Sequence, residues 1–203
     1  MKTFKRLATG VLLALAILAT VPASAKNTSF RFTMVRSKGL ANFPACAPHA
    51  IGVVQITSTG PVEVMNVFFA GLPPNTGFDF FVIQAPNSPF GLSWYQGDIE
   101  CNAAGTASGT FIGRFSIETF IVAPDVTSAP VIFGGMFPSV ATNPKTGPVQ
   151  LYHLGLWFDS PAAAFKAGGP NTETPFNGEH NAGVQVLNTS NFTALGPLSG
   201  IQP

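Results

Sequence analysis

His153, Asp159, Glu179 and His180 are the residues whose types could assemble a metal or hydrolytic centre, because they offer imidazole nitrogens and carboxylate oxygens suited to zinc or another divalent ion. His153 and Asp159 bracket one apolar run, and Glu179-His180 lies in a later segment that would have to fold back over it. Nothing in the spacing enforces that meeting, and adjacent Glu and His on a strand point to opposite faces. A second grouping, Asp98-Ile99-Glu100-Cys101-Asn102 followed by Gly105, resembles the alternating oxygen ligands of a calcium loop, with Asp98 and Glu100 as its carboxylates. Its glycine falls one place late and the distal bidentate acid is missing, so a β-turn between two strands accounts for the same residues. Trp94, Tyr95 and Trp157 are the large amphipathic aromatics. On an open face they would stack on sugar rings; inside they would fill the core, as most of the 19 Phe must.

The familiar catalytic signatures are missing from the sequence. No Gly-x-Ser-x-Gly elbow, His-Glu-x-x-His zinc helix or phosphate-cradling glycine loop occurs. No catalytic residue is therefore assigned. The only cofactors the residues suggest are a calcium ion or a transition metal at the two groupings above.

Charge excludes further classes. Charged residues make up 9% of the chain, against about 25% in an ordinary domain. Three of the ten basic residues, Lys2, Lys5 and Arg6, sit at the start, which leaves seven against nine acids. No basic stripe remains to displace counterions from a nucleic acid or to hold anionic lipid.

Lys2, Lys5 and Arg6 precede the apolar run Val11–Ala19, and Ala23-Ser24-Ala25 closes it, the pattern of a secretory signal peptide over residues 1–25 with cleavage before Lys26. The run is shorter than the roughly 20 residues a membrane span needs, and no second apolar stretch of that length follows, so no membrane insertion is expected. The expected location is secreted or extracellular, or periplasmic where the source has an outer membrane. In such a compartment Cys46 and Cys101, the only two cysteines, are expected to pair in a disulfide. Closing that loop would contribute about 4 kcal/mol in the chain-entropy model.

The elements that must position these residues are strands. Short runs rich in Phe, Val and Ile recur between Gly, Pro and Asn clusters: 30–36, 51–57, 62–69, 78–84, 92–100, 106–122 with a break, 131–133, 149–158 and 183–187. In Phe30-Arg31-Phe32-Thr33-Met34 apolar and polar side chains alternate, as on a half-buried antiparallel strand. One segment breaks the pattern. Ser160 can cap, Pro161 suits a first helical position, three alanines follow, and Gly168 or Gly169 can terminate, which predicts a short helix near 160–167. The reading is an all-β fold: a single antiparallel β-sandwich over residues 26–203, immunoglobulin-like or jelly-roll-like.

The phrases GLPPNTGFDFFVIQ (Gly71–Gln84), SWYQGDIE (Ser93–Glu100), LGLWFDSP (Leu154–Pro161) and TPFNGEHNAGVQVLNTSNF (Thr174–Phe192) resemble those of a group of secreted bacterial β-sandwich proteins. The resemblance spans most of the chain after the leader. It implies a shared fold and export, and it transfers no activity and no functional residue. The functional expectation is a non-catalytic exported protein that binds a polysaccharide, a cell surface or a protein partner. The alternatives are a secreted metal-dependent enzyme using His153, Asp159, Glu179 and His180, and a structural component of a matrix or coat.

Overall fold

The computed structural model describes residues 28–91, 93–115, 152–174, 181–193 and 195–201. The leader, and the strands expected beyond Phe115 and before Tyr152, lie outside the described residues. Within them the chain forms β1 (Ser29–Arg36), β2 (Ile51–Ser58), β3 (Glu63–Ala70), β4 (Gly77–Ile83), β5 (Ser93–Glu100), β6 (Ala107–Gly113), β7 (His153–Phe158), α1 (Pro161–Lys166) and β8 (Gln185–Asn188). The fold is all-β, with antiparallel pairing throughout and one short α-helix.

The strands follow one another in the order β5-β4-β7-β8-β1-β2-β3-β6. β1 is shared: Ser29–Met34 pair with β2, while Val35 and Arg36 pair with Asn188 and Leu187 of β8. The strip therefore divides into a first sheet, β1-β2-β3-β6, and a second sheet, β5-β4-β7-β8, hinged at β1. Period-2 patterning decides which sides meet. Phe69 of β3 lies 5.9 Å, ring to ring, from Phe80 of β4, and Phe80 lies 5.2 Å from Phe111 of β6. The two sheets thus close on one another over a core that includes Phe32, Met34, Val54, Ile56, Met65, Phe78 and Leu156.

The first sheet shows the expected alternation, with Met65, Val67 and Phe69 inward and Asn66 and Phe68 outward. The second does not. Every residue of β7 and β8 is buried, as is β4 after Gly77. A sheet covered on both faces needs apolar side chains on both, which is why Leu154–Phe158 reads as a nearly continuous apolar run. On its outer side Phe81, Ile83, Trp157 and Ala182 form a second small core, against which Phe90 and Tyr95 pack.

The local expectations with a clear chemical cause hold. The Ser160 hydroxyl accepts the Ala163 N–H at 3.2 Å and Pro161 opens α1. Gly168 takes φ +82°, and the Gly169 and Gly168 N–H groups donate to the Ala164 and Phe165 carbonyls at 2.8 and 3.0 Å. That pair of bonds is the Schellman ending that a left-handed residue permits. In the turn before β4 Asn75 takes the positive φ. Gly77 belongs to β4 instead, where it makes room: a Cβ there would lie 2.6 Å from an Asp159 carboxylate oxygen.

The disulfide expectation is overturned, because Cys46 and Cys101 are separate buried thiols. Cys46 ends a loop whose Leu40, Phe43 and Cys46 carbonyls are all bound by Arg36, and its sulfur faces Gly169 after α1. Cys101 directly follows β5, where its N–H is held by the Thr76 carbonyl and its sulfur lies 3.6 Å from the Asn102 carbonyl oxygen. An even cysteine count constrains pairing only if the backbone brings the two together, and here each is fixed by its own neighbours. Burial pushes both thiols up from their ordinary range; Arg36 offsets this partly at Cys46, and Glu100 adds to it at Cys101.

A group whose folded pKa is raised contributes stability that is present below its unfolded value, about 8.5, and lost as pH climbs through the folded value. The urea midpoint is expected to fall above about pH 8.5, and a Cys46→Ala and Cys101→Ala double replacement should flatten that fall. The unreduced, denatured chain should show two thiols to Ellman's reagent. One disulfide and no thiol would refute the assignment.

Candidate functional site

The sequence candidates gather on the second sheet but do not form one centre. His153 opens β7 and Asp159 follows its end, so six residue steps at about 3.3 Å each separate them by roughly 20 Å. They cannot share an ion, which corrects the expected grouping; Glu179 and His180 lie outside the described residues. His153 is fully buried, and its Nδ1 lies 2.8 Å from the Thr189 hydroxyl, which also accepts the Leu154 N–H at 3.1 Å. That is a structural tie between β7 and the end of β8.

The calcium-loop expectation at Asp98 and Glu100 is corrected by secondary structure. Both lie in strand β5 and not in a loop, and the loop oxygen that would join them is already engaged. The Asn102 side-chain oxygen accepts the N–H groups of Ala104 and Thr106 at 2.9 and 3.1 Å, closing the β5–β6 turn. Among the described residues no three His, Cys, Asp or Glu side chains come together to hold a metal ion.

What the strands do create is an acidic and aromatic outer face. Register places Asp98 of β5 opposite Asp79 of β4, and Asp79 opposite Trp157 of β7. One row further, Gly77 is flanked by an Asp159 oxygen and by a Glu100 oxygen, 2.6 and 3.4 Å from its Cβ position. Four carboxylates therefore share one face of three strands without converging on a point. Pairing alone generates the arrangement, which four acids scattered from 79 to 159 in the sequence could not reveal.

The aromatic rows lie beside these acids. The Phe81 ring is 5.5 Å from Tyr95 and 5.3 Å from Trp157, and Phe90 caps Trp157 at 5.0 Å. The Tyr95 hydroxyl donates to an Asp98 carboxylate oxygen. Trp157 is wholly enclosed and rests over Gly155, where a Cβ would stand 2.2 Å from its ring. It offers no face to a ligand arriving from solvent, so the expected trio of binding aromatics reduces to Trp94 and Tyr95. A bulge in β5 at Gln96 sets their directions: Tyr95 pairs with Phe81 on the outer side, while Trp94 pairs with Val82 on the inner side. β5 ends the strip, and Trp94 is 41% exposed there.

A buried polar chain runs across the adjoining strands. The Ser37 hydroxyl and the Asn188 amide both donate to the Gln185 side-chain oxygen, at 2.8 and 2.7 Å, and the Asn188 amide also reaches the Pro86 carbonyl at 2.8 Å. These contacts tie β1, β8 and the segment after β4 together. They escaped sequence reasoning because Ser, Gln and Asn are ordinary surface residues by type. Among the described residues no helix is long and apolar enough to cross a membrane. No known protein-family model matches the chain, and no curated protein matches it.

Proposed function

We propose that the protein is an exported, non-catalytic β-sandwich that binds a polysaccharide or protein surface through the edge formed by β5. The observation that carries this reading is Trp94, a large ring left 41% exposed on the last strand of the second sheet. Beside it Tyr95 is held by Phe81 and by Asp98, so this stretch of edge is built before a partner arrives. A preorganised aromatic next to satisfied polar groups loses little conformational entropy on binding. The shortage of charge favours a ligand recognised by stacking and hydrogen bonding over one recognised by long-range attraction. The signal-peptide pattern supports export of the chain that carries this edge.

The test is binding of the chain from Lys26 onward to cell-wall sacculi and to insoluble cellulose and chitin. Trp94→Ala is expected to weaken retention at least about tenfold, which corresponds to about 1.4 kcal/mol. The melting temperature should barely change, because the ring is already partly in water. Equal retention of both proteins would rule out the β5 edge.

A further inference from the structure

We draw no further inference here: the strongest candidate, the outer face of the β1-β2-β3-β6 sheet with its exposed Ile51, Phe68 and Ile112, carries nothing, because the row Arg31, Gln55, Asn66 and Thr110 separates Phe68 from Ile112 and nothing in the structure shows what covers it.

Discussion

Replacing Phe80 with alanine is expected to cost about 3–5 kcal/mol, the range for deleting a fully enclosed aromatic ring. Phe80 has no exposed surface and lies between Phe69 and Phe111, so its ring joins β4 of one sheet to β3 and β6 of the other. Its loss removes apolar transfer energy and leaves a cavity that two rigid sheets cannot close. A domain of this size loses about 2–4 °C of melting temperature per kcal/mol, so the expected fall is on the order of 6–20 °C. Phe68→Ala, one residue from Phe69 but half exposed on the opposite face, should cost under about 1 kcal/mol. Urea unfolding of the two variants makes the comparison. Equal costs would mean that the two sheets do not pack through Phe80.

Arg36→Ala is expected to be the most damaging change outside the apolar core, at about 2–4 kcal/mol. The Arg36 guanidinium donates to the Leu40 and Phe43 carbonyls at 2.9 and 2.7 Å, and reaches the Cys46 carbonyl through two nitrogens at 3.2 and 3.0 Å. Hydrogen bonds to a charged group contribute about 1.5–3 kcal/mol each and do not sum; removing their shared donor takes the guanidinium from the Cys46 carbonyl and the second donor from the Leu40 and Phe43 carbonyls, which keep the Phe43 and Cys46 N–H groups at 2.9 and 3.0 Å. Arg36→Lys should recover only part, because an ammonium lacks the planar fork that spans several acceptors. A second readout separates this role from general destabilisation. Releasing the loop should expose Cys46, so thiol labelling of folded Arg36→Ala at pH 8 is expected to speed up at Cys46 and not at Cys101. Parallel increases at both thiols would indicate global loosening instead.

The strands and the helix were legible because their causes are local. Ser160, Pro161 and Gly168 each specify one backbone feature within a few residues, and the structure uses all three as their chemistry suggests. The alternation in β1 likewise identifies a half-buried strand. The acidic face was not legible, because Asp79, Asp98, Glu100 and Asp159 become neighbours only through the pairing of β5, β4 and β7. The direction of Trp94 depended on a single inserted residue, Gln96, since one extra residue exchanges inner and outer faces. The cysteines misled for a different reason: compartment and count say that a pair would be oxidised if it met, and only the backbone decides whether it meets. His153 and Asp159 failed on length, because a strand carries its two ends apart where a helix or a turn would have returned them.

β1 meets β8 at Val35–Asn188 and Arg36–Leu187, so the first strand of the sandwich is completed by its last. A chain released from its N-terminus can assemble the β1-β2-β3 meander early, since those pairings are close in sequence. β1 must then wait for residue 188 before its second neighbour exists. Contacts of such long sequence separation place this fold among the slow folders, with loop closure preceding any reward from the junction of the sheets. A truncation before Gln185 should therefore yield a soluble-looking meander with an unpaired apolar side, prone to aggregate, and not a smaller native domain.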